Sequence, residues 1–283
     1  MKHFLNLSDY DAETLQGILK HAHKLKAEKY KPPQLFKGLT LAMMFDKLST
    51  RTRVSFDVAM KQLGGHTVVM NMSEMQIGGK ESVESTAKTL SRYVDAIMIR
   101  MSDHDMMAEL ASHSSVPIIN GMTNKNHPCQ IMADLMTIEE KMGGSIKGMK
   151  IAWFGDENNV SKTYQEAAPI FGFHFVMATP FNDITAEDAA EEADVLVTDT
   201  WVSLGQDGKD IEQFEPYQVT SELMSLAKPN AIFMHCLPIH EWEEVTEAVA
   251  KSPASMIYDE AENRLHAQKA ILAFCLEDSG VTV

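Results

Sequence analysis

Eight short apolar runs alternate along this chain with stretches whose apolar residues recur at helical spacing, and this most constrains its fold. Four runs lie in the first half: "LTLAMMF" (39–45), "HTVVMNM" (66–72), "DAIMIR" (95–100) and "VPIIN" (116–120). Four more follow: "MKIAWFG" (149–155), "HFVMATP" (174–180), "DVLVTDT" (194–200) and "NAIFMHC" (230–236), with a ninth, short one expected near Met256–Tyr258. Helical patterns fall between most of them, over 53–63, 81–93, 131–142 and 162–171, and a last one over 262–276. A strand feeding a helix feeding a strand is the signature of a parallel sheet covered by helices. The fold class expected is α/β: two doubly wound domains, each with a mostly parallel central sheet flanked by helices. The paired glycines of "KMGGSIKGMK" (141–150) follow a helix and precede a fresh strand, so the division is expected there. That gives one domain over 1–140, joined by a C-terminal helix over 262–283, and a second over 141–261.

Bulk properties exclude several classes of function. A formal net charge of −15 lacks the basic footprint of a nucleic-acid or anionic-membrane binder, so neither partner is expected. Any anionic ligand must instead be drawn in by local arginines against the overall field. The opening "MKHFLNLSDYDAETL" is interrupted by acids and does not read as a signal peptide, and Ala270–Leu276 is too short to span a bilayer. Three cysteines (Cys129, Cys236, Cys275) form an odd, sparse set that fits reduced thiols in a cytoplasm.

One stretch concentrates hydrogen-bond donors at a strand-to-helix seam: Ser49-Thr50-Arg51-Thr52-Arg53. With the helix starting just after Ser49, Ser49 or Thr50 is its N-cap, and the next backbone N–H groups have no intrahelical partner. Those donors, the positive end of the helix dipole and the Ser, Thr and Arg side chains together suit a tetrahedral phosphate. Taken alone, the stretch is equally a polar turn with a good cap. Arg51 and Arg53 stand about 200° apart around a helix, so they do not share one small ligand. Arg51, in the first turn, is expected to bind, and Arg53 to turn inward or sideways toward Asp57. No Walker pattern is present, so a small phosphate fits better than ATP.

Four further clusters sit where strands end or helices begin. His127 precedes Pro128 in "HPCQ", which puts His127 and Gln130 at a helix N-terminus. "GDENNV" carries Asn158 and Asn159 in a turn with a single glycine, too little for a dinucleotide fingerprint. "TDTWVSLGQ" leaves a strand on Asp199, a carboxylate suited to an ammonium group, and "HCLPIH" carries His235, Cys236 and His240. His127, Cys129, Cys236 and His240 are conceivable zinc ligands. There is no C-x₂-C pair and no second histidine for an H-E-x-x-H site, so no metal is expected. Each cluster, on its own residues, has an ordinary structural explanation: a cap, a turn or a buried thiol.

Together the motifs resemble the ornithine branch of the aspartate/ornithine carbamoyltransferase superfamily. "STRTR", "QIGGKES" (76–82), "HPCQ", "GDENNV", "DTWVSLGQ", "HCLP" and "DEAENRLHAQKA" carry the likeness, which spans nearly the whole chain. The resemblance implies a carbamoyl-phosphate domain, an ornithine domain and closure between them, in a homotrimer or multiple of trimers, with no cofactor. It implies that Ser49, Thr50, Arg51 and Thr52 hold the phosphate, with Gln76 reaching it from a neighbouring subunit. Arg100, His127 and Gln130 would hold the carbamoyl group, assisted by Arg264. Asn159, Asp199, Ser203 and Leu204 would bind the amino-acid end of ornithine. Cys236 and the carbonyl of Leu237 would lie beside the attacking δ-amine, with Arg100, His127 and Cys236 as the catalytic set.

The implied reaction moves the carbamoyl group from carbamoyl phosphate to the δ-amine of L-ornithine, giving L-citrulline and phosphate. Alternatives are the same chemistry on another amine such as putrescine, or a non-catalytic relative that only binds carbamoyl phosphate. A nicotinamide oxidoreductase lacks its glycine fingerprint here. Three departures from the branch stand out: Leu48 before "STRTR", Leu204 in the S-x-G loop, and Glu241-Trp242 after "HCLP".

Overall fold

A computed structural model describes residues 2–47, 49–202, 210–240 and 242–277. The chain divides into two compact units, Met1–Met136 with Asn263–Val283, and Thr137–Glu262.

In unit 1, α1 (Ala12–Ala27) precedes β1 (Thr40–Phe45), α2 (Thr50–Gln62), β2 (His66–Asn71), α3 (Val83–Leu90), β3 (Ala96–Arg100), α4 (His104–His113) and β4 (Ile118–Met122). α5 (Pro128–Met142) begins in this unit. The strands form one sheet in the order β2-β1-β3-β4, all parallel. The central strands β1 and β3 are almost wholly buried, which explains why they read as unbroken apolar runs rather than alternating ones. β2, at the edge, alternates instead. One face of the sheet packs Ala42, Met44, Ile97 and Ile99 against Ala87, Met107 and Leu110 of α3 and α4.

In unit 2, β5 (Lys150–Phe154), α6 (Asn159–Phe171), β6 (His174–Ala178), α7 (Ala186–Ala190), β7 (Val195–Thr198), α8 (Ser221–Leu226), β8 (Ile232–His235) and α9 (Glu247–Ala250) are followed by α10 (Ile257–Leu276). The sheet order is β6-β5-β7-β8, again all parallel. Phe154, Leu196 and Phe233 pack one face onto the alanines of α7 and onto Leu223.

The eight strands stand where the apolar runs lie. The ninth expected strand is a correction: Ser255 makes one isolated bridge to Phe233, and from Ile257 the chain is helical. Met256 and Ile257 are buried there as the entry to α10, which a short apolar run does not distinguish from a strand. Among the described residues, no helix is long and apolar enough to cross a membrane.

Candidate active site

Both sheets reverse direction at their middle. In unit 1 the chain moves outward from β1 to β2, then returns to β3 on the other side of β1. Ligands of open α/β sheets gather at such switch points, outside the carboxyl ends of the strands. Here the adjacent ends are Phe45 and Arg100, paired in register. The loop after β1 delivers Ser49–Arg53, and β3 ends on Arg100. In unit 2 the corresponding ends are Phe154 and Thr198, also paired, with His235 beside Thr198. The loops leaving them carry Asn158, Asp199 and Cys236.

The unit 1 cluster is organised around one hydroxyl. Thr52, in the first turn of α2, is 1% exposed, and its Oγ1 accepts from Arg100 Nη1 at 3.0 Å and from Arg264 Nη2 at 3.1 Å. Two guanidinium donors occupy the lone pairs, leaving the hydroxyl hydrogen to donate. Arg264 also donates through Nη1 to Gln130 Oε1 at 2.6 Å, and Gln130 Nε2 donates to Asp134 Oδ1 at 2.8 Å. Asp134 is buried and one turn along α5 from Gln130, so it orients the amide and offsets part of the arginine charge. No motif singled out Asp134; its only sequence signal is a carboxylate on an otherwise apolar stretch of helix.

Ser49 is the N-cap of α2 with extended backbone, yet its side chain makes no capping hydrogen bond, and the first turn holds no acid. Its hydroxyl and the first-turn N–H groups therefore remain available to an anion. Thr50 and Arg51 are exposed at the same helix start. Arg53 is exposed too, so of the two directions expected, inward or sideways toward Asp57, it does not take the inward one. Asp57 is occupied by Lys61 at 2.7 Å and by Thr67, so Arg53 acts on it only through space.

His127 caps α5 with its carbonyl, accepting from Gln130 N at 3.0 Å. Its loop is fixed by buried Asn126, which links Asn120 at 2.7 Å to Asn6 at 2.8 Å. Burial holds the imidazole well below its ordinary pKa, and Arg264, Arg100 and Arg51 push in the same direction. A neutral imidazole beside three arginines can donate to a carbonyl oxygen without adding a fourth cation. Cys129 is buried and donates to Asn120 O, and burial pushes its thiol up to about 12, which disfavours the nucleophilic thiolate. Gln76 lies on an exposed turn, its carbonyl accepting from Gly79 N and Glu81 N.

In unit 2, Gly155 follows β5 with φ +107°, and a Cβ there would lie 2.6 Å from Trp201 Nε1. The glycine permits both the turn and the approach of the indole. Asp199 follows β7; its Oδ1 accepts from Thr200 N at 2.8 Å and from Cys236 Sγ at 3.2 Å. Asn159 opens α6, while Ser203 and Leu204 lie outside the described residues, as do Leu48 and Glu241. Leu237 has φ +63°, and its N–H donates to His235 Nδ1 at 2.9 Å. An accepting Nδ1 places the ring proton on Nε2, which donates to buried Glu244 Oε1 at 3.0 Å. Asp199, His235 and Cys236 offer ligand atoms within 4.8 Å of one another, as do His240, Glu243 and Glu244. Both nitrogens of His235 are occupied by those bonds, so the first trio does not offer three free donors for a cation.

Two family profiles match the chain. Residues 2–140 match the aspartate/ornithine carbamoyltransferase carbamoyl-P binding domain, and residues 182–275 match the Asp/Orn binding domain of the same family. The chain belongs to the aspartate/ornithine carbamoyltransferase family. The ornithine carbamoyltransferase of Brucella abortus (strain 2308) is 50% identical over 307 aligned positions, covering 99% of this chain and 97% of that relative. That of Agrobacterium fabrum is 48% identical, covering 97% and 98%. Among solved structures, the ornithine carbamoyltransferase of Pyrococcus furiosus superposes with a TM-score of 0.93 at 43% identity, covering 98% of this chain and 97% of that one. An N-acetyl-L-ornithine transcarbamylase superposes at 0.87 with 29% identity, covering 97% and 100%.

Proposed function

We propose that this chain transfers the carbamoyl group of carbamoyl phosphate to the δ-amine of L-ornithine, giving L-citrulline and phosphate. The observation that carries the reading is that relatives of this name are matched over nearly their full length at half identity. The donor cluster on Thr52, Arg100 and Arg264 has the chemistry that a carbamoyl phosphate site requires.

In this reading Ser49, Thr50, Arg51 and Thr52 hold the phosphate. Arg100, His127, Gln130 and Arg264 hold the carbamoyl group. Asn159, Asp199, Ser203, Leu204, Cys236 and the Leu237 carbonyl receive ornithine. The lone pair of the deprotonated δ-amine forms the new C–N bond to the carbamoyl carbon. Charge develops on the carbonyl oxygen, where the Thr52 hydroxyl, Arg100 and neutral His127 donate to it. The C–O bond to phosphate then breaks with its electron pair, and the phosphate takes up the amine proton. Each oxyanion donor contributes about 3 kcal/mol to lowering the barrier, roughly a hundredfold in rate. The thiol of Cys236, donating to Asp199, positions the amine end and forms no covalent intermediate.

The working assembly in this reading is a homotrimer or a multiple of trimers in the cytoplasm, with Gln76 serving a neighbouring subunit's phosphate; its exposure supports that role. The test is colorimetric detection of carbamoylated product from carbamoyl phosphate with ornithine, putrescine, N-acetyl-L-ornithine and aspartate as separate acceptors. Turnover with ornithine alone is expected. Preference for another acceptor overturns the amine half, and no turnover with any of them, in folded protein that binds carbamoyl phosphate, overturns the activity.

A further inference from the structure

We propose that Asn158 is a positioning residue for the amine end of the reaction: its side-chain amide fixes the Asp199 carboxylate in the orientation that meets the substrate ammonium. This rests on the reading above, in which Asp199 receives ornithine. It adds a residue that carries none of the roles transferred by resemblance, which fall on Asn159.

The two ends of the Asn158 amide do different work. Its Oδ1 accepts from Val160 N at 2.9 Å and Ser161 N at 3.1 Å, capping α6, and Ser161 Oγ returns the bond by accepting from Asn158 N at 2.9 Å. Its Nδ2 donates to Asp199 Oδ2 at 2.8 Å. The amide does not tolerate a flip, because that would set NH₂ against helix N–H groups and C=O against a carboxylate. The helix cap therefore determines where the donor points.

A carboxylate offers about four lone-pair sites. On Asp199, Thr200 N and Cys236 Sγ occupy the two on Oδ1, and Asn158 occupies one on Oδ2. Among the described residues, one site on Oδ2 remains. The donors come from three segments: the start of α6, the loop after β7 and the exit of β8. They leave the carboxylate plane one orientation, so the direction of the remaining lone pair is set by Asn158. Without the amide, Oδ2 can rotate and the substrate must order it on binding, a cost that appears in ornithine affinity.

The experiment compares Asn158→Ser and Asn158→Asp with Asn158→Ala, Ser161→Ala and Asp199→Asn, measuring melting temperature, kcat, and KM for each substrate. Serine and aspartate are good helix caps but have no NH₂ to donate. Asn158→Ser is expected to melt close to the unsubstituted protein, and Asn158→Asp lower, because its carboxylate meets that of Asp199. Their ornithine KM should rise about tenfold or more, the loss of one charge-assisted hydrogen bond, while carbamoyl-phosphate KM stays within about twofold. Ser161→Ala weakens the cap and leaves Asp199 alone, so its ornithine KM should not move. Equal ornithine KM in Asn158→Ser, Asn158→Asp and the unsubstituted protein overturns the proposal. So does an increase in Ser161→Ala that matches theirs, because the role is then only structural. An unchanged ornithine KM in Asp199→Asn instead removes the assignment of Asp199 on which the proposal stands.

Discussion

Arg264 Nη2 donates to Thr52 Oγ1 at 3.1 Å, although 212 residues separate the two in sequence. The first turn of α2 thus gains a donor from α10, and Gln130 receives the other arm of the same guanidinium. Arg264 is buried, and a single fork satisfies two helices. Arg264→Lys keeps the charge but not the fork. We expect it to raise the carbamoyl-phosphate KM at least about tenfold, the loss of one charged hydrogen bond in a buried site. Ornithine KM should change little, and steady-state kinetics with each substrate varied in turn checks this.

Arg51 and Arg53 provide a test of helix-face geometry. Arg51→Ala is expected to abolish measurable carbamoyl-phosphate binding in calorimetry. Arg53→Ala should leave the Kd within about twofold, because residues two apart on a helix do not face one ligand. Equal losses in two folded variants would show that the anion site wraps both faces of α2.

His127 makes stability depend on pH. Its folded pKa lies well below the ordinary 6.5 because burial and three arginines disfavour the imidazolium. As pH falls through about 6.5 the unfolded chain binds a proton that the folded chain does not, so stability falls on acidification, by at most about 1.4 kcal/mol per pH unit. His127→Gln should flatten this part of the profile. Urea midpoints between pH 5 and 7.5 for both proteins measure it. A neutral His127 also predicts no kinetic inflection from this group above pH 6.5.

Glu244 accepts from His235 Nε2 and from His240 N, and His235 in turn fixes the Leu237 N–H. Glu244→Gln keeps an acceptor there and should fold with near-normal ornithine KM. Glu244→Leu strands a buried N–H and should cost about 1–3 kcal/mol. Its ornithine KM should also rise, since the loop carrying Cys236 loses its anchor. Thermal melts and kinetics separate the two effects.

The alternation of strands and helices is legible in the sequence because buried parallel strands are unbroken apolar runs and surface helices are not. The run at Met256 misled for the same reason, since a buried helix entry has that composition too. The donor-rich stretch Ser49–Arg53 is legible because its donors are consecutive. Asp134, Asn158 and Glu244 are not, because each acts through a partner that the motifs did not pair with it. Arg53 shows the limit of local geometry: the i to i+4 spacing points it toward Asp57, but Lys61 and Thr67 already hydrogen-bond that carboxylate.

By itself, the sequence determined the α/β class, the family and the residue types at each strand end. Tertiary structure decided which hydroxyl receives two guanidiniums, which asparagine faces Asp199 and which histidine nitrogen carries its proton. The physical reason is range. Propensity and hydrophobic period act over a few residues and are written consecutively. Hydrogen-bond direction depends on where two sheets reverse their winding, which brings Thr52 to Arg264 and Asn158 to Asp199 only after the chain has folded.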